Sequence, residues 1–541
     1  MTLEEIKSRH GRWLALFFMI FAIGLFFRFF HLYDRGLINS DGIILWKEVE
    51  DAVTNNIYYW YFAKPGHLFL LWVGAMMVGF KDFVPVLVSS LSGLATVGVT
   101  YLIGKRLYGF RTGLLAAALL SVSPWHIFFS RTSGSSVNSI LFWTMALYFY
   151  ILSRPDLACD SPSENAEFSS HDRSYKWLIC AGLSMGYSFT CHYNMGMAPL
   201  YFLLFELHYA YARRRGSSVS AKNEALHKDN GLIRLFSLFS AMLVPLVFFN
   251  FLHMYMEYRL ISEIPYDPSK NEMILSYFQQ IFIQLKSSTS EIWGSPSSFA
   301  FWIKLIGQNE GWIFFVLALL GFLYHLKFMI KNNSLASLIP LLPIIISLAF
   351  LANAEYTAKG RSFSLAVPLL ALLAAHALSV AGERLKNSLW IFSIPCFILV
   401  YNLPVLISQV QISTPKQGVQ DFLKQNQIKS IIAQGEEIVY LVKPAVSDIR
   451  FSPNWNWTRE QVQTALQNQQ KVEPNFLMAE FKTEELQTRY HCQPQVQWAN
   501  VTGRSDLGFE MGKVKRVWDF TLQRNSELLI GFFLIDECIR P

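Results

Sequence analysis

Residues 83–129 read FVPVLVSSLSGLATVGVTYLIGKRLYGFRTGLLAAALLSVSPWHIFF, two long apolar blocks on either side of a short basic loop. Each block is close to the roughly 20 residues that an α-helix needs to cross a hydrocarbon core. Soluble cores divide their apolar residues into shorter periodic runs. The stretch therefore predicts two membrane-spanning helices joined by a loop that contains Lys105, Arg106 and Arg111.

The composition of the whole chain extends this prediction. Of 541 residues, 52% are hydrophobic and only 16% are charged, whereas soluble proteins carry about 25% charged residues. The net charge is +7, but the basic residues lie beside apolar blocks, as expected for a membrane protein. Nucleic acid is therefore not a predicted partner. The first apolar block, 13–33, is too long for a signal peptide and predicts a retained helix.

About eleven such blocks occur, which predicts a polytopic all-α membrane domain over residues 1–408. The predicted spans are 13–33, 83–103, 112–129, 136–153, 176–192, 195–212, 233–254, 311–328, 335–352, 363–381 and 388–408. Residues 66–79 are apolar over only 14 positions, which favours an in-plane interfacial helix.

The charges support this topology. With the N-terminus in the cytoplasm, every inner loop except the acidic loop 154–175 contains a basic cluster, as the positive-inside rule requires. Counting 66–79 as a span would place those clusters outside. The long loops 34–82 and 255–310 then lie outside, together with the C-terminal part of the chain, 409–541. Long outer loops indicate that the working surface is extracytoplasmic.

The C-terminal part, 409–541, is predicted to be a small soluble α/β domain. A helix pattern over 417–426 precedes strand-like runs at 430–433, 438–442 and 476–481. Cys492 and Cys538 are the two cysteines of this part. An extracytoplasmic location permits a disulfide between them, and two free thiols are the alternative.

Asp41 is the candidate catalytic residue. It lies in Asn39-Ser40-Asp41-Gly42, at the start of a predicted helix in loop 34–82. Its structural interpretation is a capping or first-turn carboxylate. Its functional interpretation is a general base at the membrane–water boundary, where partial desolvation raises the basicity of a carboxylate.

The other candidates are cations and histidines on the predicted outer side. Ionisable groups within spans are costly, and Arg on the outer side runs against the positive-inside rule, so each requires a reason. Lipid-headgroup contact by a single side chain, or chance scatter, is the structural alternative. Their convergence favours an anionic lipid headgroup as ligand, and the candidates are Arg28, Lys64, His67, Arg131, His192 and Arg361.

Several familiar chemistries lack their motifs. The chain contains no Walker loop, no GxSxG elbow, no HExxH and no Cys/His metal spacing. The sequence therefore predicts no nucleotide cofactor and no ATP-driven transport by this chain alone.

At these positions the sequence resembles the GT-C glycosyltransferases, within them the superfamily of protein O-mannosyltransferases and aminoarabinose transferases. The resemblance covers roughly residues 10–380 and is strongest over 28–152. It rests on the order and spacing of several short matches. These are Arg28-Phe29-Phe30-His31-Leu32, Asp41-Gly42, Lys64-Pro65-Gly66-His67, 104–109, 113–117, Ser123-Pro124, Phe129-Ser130-Arg131, 182–193 and Arg361 with Pro368.

Two positions depart from the family pattern. Gly42 stands where the family has the second acid of an Asp-Glu pair. Ser135, Ser136 and Asn138 stand where the family often has a further acid after the position of Arg131. Whether a divalent metal takes part is therefore left open, as are a divergent acceptor and an inactive relative.

The resemblance implies a membrane glycosyltransferase that takes a sugar from a polyprenyl-phosphate donor. The acceptor is a hydroxyl on a protein, a lipid or a glycan, and the reaction is an inverting single displacement on the extracytoplasmic face of a bacterial plasma membrane. Asp41 is the implied base, and Lys64, Arg131 and Arg361 stabilise the leaving phosphate. The alternatives are a lipid or sugar transporter without chemistry, and an oligosaccharide-transferring enzyme that uses a diphosphate lipid.

Overall fold

The fold is known from a computed structural model of the chain. It describes residues 3–35, 37, 40–54, 64–154, 157, 170–214, 231–263, 278, 299–332, 334–351, 363–384, 391, 393–411, 416–434, 436–443, 445–452, 476–482, 496–499 and 528–534. The described part is mostly helical up to residue 411, and the described strands all follow it.

Helices and strands are numbered here in chain order. The helices are α1 (Leu3–Phe29), α2 (Leu32–Arg35), α3 (Ser40–Thr54), α4 (Pro65–Val78), α5 (Val84–Tyr108), α6 (Phe110–Ser121), α7 (Pro124–Ser130), α8 (Ser135–Leu152), α9 (Ser170–Cys191), α10 (Ala198–Arg214), α11 (Gly231–Glu263), α12 (Phe299–Glu310), α13 (Trp312–Asn332), α14 (Leu335–Leu351), α15 (Val367–Arg384), α16 (Ser393–Gln411), α17 (Lys416–Gln425) and α18 (Glu436–Val442). Short 3-10 segments cover Tyr193–Met197 and Ser364–Ala366. The strands are β1 (Ser430–Gln434), β2 (Asp448–Ser452), β3 (Phe476–Lys482), β4 (Val496–Ala499) and β5 (Leu528–Leu534).

Within the described ranges, five helices are long and apolar enough to cross a membrane, or six if a bent pair counts as one span. They are Val84–Tyr108, Ser135–Leu152, Gly231–Tyr255, Trp312–Lys331 and Ser364–Arg384. Four apolar helices are shorter: Phe17–Phe29, Pro65–Val78, Leu335–Ala349 and Ser393–Ile407. The total of about eleven spans stays a prediction, because α9 opens with polar residues and α10 has only 17 residues.

The predicted span 112–129 is broken into α6 and α7, which meet at 63°. Ser123 and Pro124 explain the break. The Ser123 hydroxyl accepts a hydrogen bond from the backbone N–H of His126 at 3.0 Å, which is the contact of a helix N-cap. Pro124 occupies the first position of α7, where its missing N–H costs nothing.

Close helix packing forms the main core. Two glycines of α9 lie directly against the backbone of α11. A Cβ at Gly182 would lie 2.3 Å from the carbonyl oxygen of Leu238, and one at Gly186 would lie 2.2 Å from that of Met242. Small residues allow membrane helices to approach closely, so that dispersion contacts and backbone proximity hold the pair together.

Buried charges lie at one end of this packing. Glu206 of α10 forms ion pairs with Arg154, just after α8, and with Arg234 of α11, whose Nε lies 3.3 Å from the carboxylate. Arg234 also donates to the hydroxyls of Ser153 and Ser174, both at 2.9 Å. The Glu206 cluster (Arg154, Glu206 and Arg234) therefore ties α8, α9, α10 and α11 together with its charges paired.

The C-terminal strands form one sheet with the order β2-β1-β3-β5-β4. β1 is parallel to β2 and β3, and β5 is antiparallel to β3 and β4. The strand-like runs at 430–433 and 476–481 are β1 and β3, and the helix pattern at 417–426 is α17, so these three predictions are confirmed.

The strand predicted over 438–442 was wrong, because these residues belong to α18. Two glutamates, Glu436 and Glu437, occupy the first turn of α18, where negative charge interacts favourably with the helix dipole. The parallel pairing of β1 with β2 also requires a crossover connection. A short apolar run alone does not distinguish a buried strand from a buried helix.

Candidate functional site

The candidate site lies where α1 and α7 end and where α3, α4 and α8 begin. We call this region the site end. The predicted helix over 66–79 is found as α4, which begins at Pro65 and stops before Gly79. Gly79 has a φ of 89°, a left-handed conformation that glycine adopts without strain. Lys64 is the residue immediately before α4 and is 6% exposed.

Arg131 lies between α7 and α8 and is fully buried. Its Nη1 donates to three carbonyl oxygens at the end of α1, those of Phe27 at 2.9 Å, Arg28 at 3.1 Å and Phe30 at 2.9 Å. The last carbonyls of a helix have no partner within the helix. One side of the guanidinium therefore satisfies the end of α1, while Nε and Nη2 have no hydrogen-bond partner within the described ranges.

Arg28 is also fully buried, and its side chain contacts the break between α6 and α7. It donates to the carbonyl oxygens of Leu120 at 3.2 Å and Ser121 at 2.9 Å. A third contact joins its Nη2 to His126 Nδ1 at 2.8 Å. The close approach depends on Gly24, where a Cβ would lie 2.7 Å from the carbonyl oxygen of Ser121. This geometry supports a positioning role for Arg28.

The start of α3 is packed against the turn that follows Arg131. A Cβ at Gly42 would lie 1.5 Å from Ser133 Oγ, so Gly42 and Ser133 are in direct contact. Asp41 is the second residue of α3, and its side chain lies outside the described residues. The chain at Asp41 is therefore brought close to the segment that begins at Arg131.

His67, in the first turn of α4, faces α8. Its Nδ1 lies 2.7 Å from Nδ2 of Asn138, and both side chains are fully buried. Ser136 and Asn138 both belong to the first turn of α8. Asn138 is one of the positions where the resemblance suggests an acid, and here it is a neutral hydrogen-bond partner of His67.

The start of α4 also packs on the end of α9. The hydroxyl of Tyr187 donates to the carbonyl oxygen of Gly66 at 3.0 Å. A Cβ at Gly66 would lie 2.3 Å from Thr190 Oγ1. His192, immediately after α9, is 2% exposed. The sequence candidates Arg28, Lys64, His67, Arg131 and His192 therefore all lie buried at the site end, within the helix ends that surround residues 131–138.

Further polar atoms at the start of α8 are buried and lack a hydrogen-bond partner among the residues that the structure describes. They are Ser133 Oγ, Ser136 Oγ and Asn138 Oδ1. A buried polar atom without a partner costs about 1–3 kcal/mol, so a group of them in one place requires an explanation. Nε and Nη2 of Arg131 are in the same condition, so the segment 131–138 contains several buried donors and acceptors without a described partner.

No sequence pattern pointed to Glu310, the last residue of α12, which is 1% exposed. Its carboxylate accepts a hydrogen bond from Ser123 at 2.5 Å, and its backbone carbonyl accepts one from Asn402 at 3.1 Å. These contacts join α12 and α16 to the start of α7. The Ser123-Pro124 helix start was a usable signal, but its partners lie far away in sequence.

Other predicted positions fall outside the described residues. These are Arg361, Cys492 and Cys538. Arg361 remains a candidate ligand of the lipid phosphate on the sequence argument alone.

The described residues offer little to a divalent metal. In the part of the chain that can be described, no group of three or more His, Cys, Asp or Glu side chains lies close enough to hold an ion. At the two departures from the family pattern, Gly42 packs against Ser133 and Asn138 bonds to His67. These residues do not form the paired carboxylates that hard divalent cations prefer.

Comparison with known proteins gives one family and two groups of structures. The family described as dolichyl-phosphate-mannose-protein mannosyltransferase matches residues 63–159, which include α4 and the segment from Arg131 to Asn138. No curated protein sequence matches the chain.

The fold is similar to that of ArnT from Cupriavidus metallidurans in the apo state. The two share 15% identity with a TM-score of 0.58, over 98% of this chain and 100% of that chain. The same protein bound to undecaprenyl phosphate gives 13% identity and a TM-score of 0.56, over 98% and 99% of the two chains.

A second similar structure is the oligosaccharyltransferase of Archaeoglobus fulgidus in the apo form. It shares 12% identity with a TM-score of 0.57, over 88% of this chain and 70% of that chain. The apolar helices and these membrane-protein neighbours make the chain an integral membrane protein. Together, the family match and the similar structures show that the chain has the fold of the GT-C glycosyltransferases.

Proposed function

We propose that the chain transfers a sugar from a polyprenyl-phosphate donor to an acceptor hydroxyl. The observation that carries this proposal is that only one nitrogen of the Arg131 guanidinium has hydrogen-bond partners among the described residues. Nη1 is engaged by the end of α1, whereas Nε and Nη2 point to no described partner in a fully buried position. Arg suits bidentate recognition of phosphate, and a lipid phosphate beside α8 would supply the missing acceptors.

The neighbouring structures support this class of donor. One similar structure contains undecaprenyl phosphate, and another, AglB from Archaeoglobus fulgidus, contains a dolichol-phosphate and an inhibitory peptide. Both lipids combine a long apolar chain with a phosphate. Buried cationic side chains near the ends of apolar helices suit both parts of such a molecule.

In the proposed reaction Asp41 removes the proton of the acceptor hydroxyl. The acceptor oxygen forms a bond to the anomeric carbon as the bond from that carbon to the lipid phosphate oxygen breaks. The lipid phosphate leaves with the bonding electron pair, and a single displacement inverts the anomeric centre. Arg131, Lys64 and Arg361 stabilise the negative charge that develops on the leaving phosphate.

The hydroxyls of Ser133 and Ser136 and the amide of Asn138 complete the proposed site. They are neutral groups that can exchange hydrogen bonds with sugar hydroxyls. The site end lies outside the cytoplasm in the topology inferred from the basic loops, with the C-terminal strands on the same side. In that orientation the acceptor reaches Asp41 from the extracytoplasmic space.

The test is a transfer assay on the full-length chain in lipid nanodiscs. Polyprenyl-phosphate sugars that are radiolabelled in the sugar are incubated with hydroxyl acceptors, with and without EDTA. We expect labelled acceptor and free polyprenyl phosphate in equal amounts. We expect Asp41→Asn to lower kcat by at least about 100-fold, the usual contribution of a general base. Asp51→Asn, on the same helix α3, is the matched control.

Three outcomes would contradict the proposal. Activity with diphosphate-linked donors alone would indicate an oligosaccharide-transferring enzyme. Movement of intact labelled donor across proteoliposomes, without free polyprenyl phosphate, would indicate a transporter. Full activity of Asp41→Asn would exclude Asp41 as the base.

A further inference from the structure

Two side chains from the C-terminal part of the chain meet at Asp82, in the turn between α4 and α5. Lys416 Nζ donates to Asp82 Oδ2 at 2.6 Å, and the hydroxyl of Tyr440 donates to the same oxygen at 3.0 Å. Lys416 Nζ also lies 3.9 Å from the centre of the Tyr440 ring, within reach of a cation–π interaction. Lys416 begins α17 and Tyr440 belongs to α18, so both come from the C-terminal part of the chain.

The same tyrosine hydroxyl holds the chain that leads into α3. The backbone N–H of Leu37 donates to Tyr440 Oη at 3.2 Å, and Leu37 is fully buried. Leu37 lies four residues before Asp41. We call Leu37, Asp82, Lys416 and Tyr440 the Tyr440 junction. It connects the beginning and the end of loop 34–82, which carries Asp41 and Lys64.

The ring of Tyr440 packs between two separate apolar clusters. One cluster belongs to the site end and includes Leu37, Ile43 and Trp46. The other belongs to the C-terminal part and includes Val419 and Ile431. The ring is therefore held in place by packing on both sides, while the hydroxyl alone makes the directional contacts with Leu37 and Asp82.

The electrostatics keep that hydroxyl in its donating form. Burial, and after it the neighbouring Asp82 carboxylate, raise the pKa of Tyr440 above its ordinary value. A tyrosine hydroxyl is protonated at neutral pH even at its ordinary pKa of about 10, and the upward shift reinforces this state, in which the hydroxyl donates to Asp82 and accepts from Leu37.

We propose that Tyr440 is a positioning residue for the transferase site, whose hydroxyl fixes the chain entering α3 and so sets the position of Asp41 relative to Arg131. The proposal rests on the proposed function for its catalytic consequence. It gives the C-terminal part a role in shaping the active site, in addition to any role in binding the acceptor.

The test compares Tyr440→Phe with Tyr33→Phe in the full-length chain. Tyr440→Phe keeps the ring and removes both hydroxyl contacts. The ring centres of Tyr33 and Phe83 lie 5.3 Å apart in a tilted contact, and Tyr33 is 72% exposed. Tyr33→Phe therefore removes a tyrosine hydroxyl beside the same turn and retains the ring contact. Amide hydrogen exchange is measured for residues 37–54, and kcat and donor KM are measured separately.

For Tyr440→Phe we expect faster amide exchange at Leu37 and through the first turn of α3. We also expect kcat to fall about tenfold, since small displacements of a catalytic group have effects of this order or larger. The donor KM should stay unchanged, because the lipid-phosphate residues keep their contacts. Lys416→Met removes the ion pair but keeps the Leu37 contact, so its kcat should fall less than that of Tyr440→Phe.

Unchanged exchange over 37–54 in Tyr440→Phe would overturn the proposal, as would faster exchange with an unchanged kcat. A rise in donor KM alone would also overturn it, because that pattern indicates donor binding. If the wild-type chain transfers no sugar, the proposed function fails, and the exchange measurement still decides whether the Tyr440 junction holds α3.

Discussion

At the scale of single residues, two buried arginines each donate hydrogen bonds to the carbonyls at the end of a helix. Arg131 donates to carbonyls at the end of α1, and Arg28, near that end, donates to carbonyls at the end of α6. Backbone carbonyls without partners are especially costly in a bilayer, where no water replaces the missing donors. Each arginine therefore makes a helix end possible inside the membrane protein, and Arg131 retains two nitrogens for a ligand.

The contact between Gly42 and Ser133 leads to a residue-scale prediction. We expect Gly42→Ala to reduce transfer strongly and to lower the free energy of unfolding by about 1–3 kcal/mol, the usual cost of overpacking. The reason is that the new Cβ would lie 1.5 Å from Ser133 Oγ, which is a steric clash. The double variant Gly42→Ala with Ser133→Gly restores the space and should recover stability. Thermal unfolding and donor turnover are the measurements, and equal losses in the single and double variants would contradict the prediction.

Sequence reasoning named candidate residues for the site but did not predict their contacts. Arg28 was a candidate because an ionisable group in a span is costly. That argument does not distinguish a ligand from a helix end as the partner of the guanidinium. Its partners Leu120 and Ser121 lie more than 90 residues away. The Ser123-Pro124 pair interrupts an apolar block, and it indicated that a helix ends there. The last carbonyls of such a helix need hydrogen-bond donors.

At the scale of elements, the break between α6 and α7 is held by a side chain with two tasks. Ser123 accepts from the N–H of His126 and donates to Glu310. It therefore starts α7 and joins that helix to α12. Because Arg131 follows directly after α7, the placement of α7 determines where the arginine lies.

We therefore expect Ser123→Ala to lower the free energy of unfolding by about 1–2 kcal/mol, the range for loss of an N-cap. In a double-mutant cycle with Glu310→Gln the two losses should not add, because the residues are in direct contact. Ser240→Ala, an exposed serine of α11, is the control and should change little. Thermal unfolding in nanodiscs, followed by tryptophan fluorescence, measures all four variants, and additive losses would contradict a shared role.

Elements with local signals were predicted well. Pro65 and Gly79 mark the two ends of α4, and the helical spacing of Val419 and Leu423, four residues apart, marks α17. The run 438–442 was predicted to be a strand, but it belongs to α18, which lies in the connection between the parallel strands β1 and β2. The need for such a connection is a property of the sheet. Tertiary context of this kind is not contained in a five-residue pattern.

At the scale of the whole molecule, polar clusters lie at both ends of α8. Asn138 is in its first turn, and Arg154 follows its last residue. Sixteen residues of helix span about 24 Å, so the Glu206 cluster is remote from the proposed chemistry. Its role is to join four helices, whereas the site end joins helix ends to a ligand.

We expect Glu206→Gln to lower the free energy of unfolding by about 3–5 kcal/mol, because two buried guanidinium groups lose their shared carboxylate. Activity per folded molecule should remain close to that of the wild type. Glu383→Gln, an exposed glutamate of α15, is the control for stability. A selective loss of kcat without loss of stability would show that the Glu206 cluster acts in the reaction.

The membrane character and the fold class followed from the sequence because apolar blocks and basic loops are dense signals. The number of spans did not follow with the same certainty, since α4, α9 and α10 are short or partly polar. The contact of Tyr440 with Leu37 joins residues 403 positions apart, and no local pattern announces such a pairing.

The distance in sequence between Arg28 and its partners has a consequence for biosynthesis. Ser121 lies 93 residues after Arg28, which is roughly 5–20 s of synthesis at typical elongation rates. During that interval α1 carries a guanidinium whose carbonyl partners in α6, those of Leu120 and Ser121, have not yet been made. We expect the nascent helix to hold Arg28 near the headgroups and to sink to its final depth only after α6 and α7 arrive. The arginine thus couples the insertion of the first helix to the later assembly of the bundle.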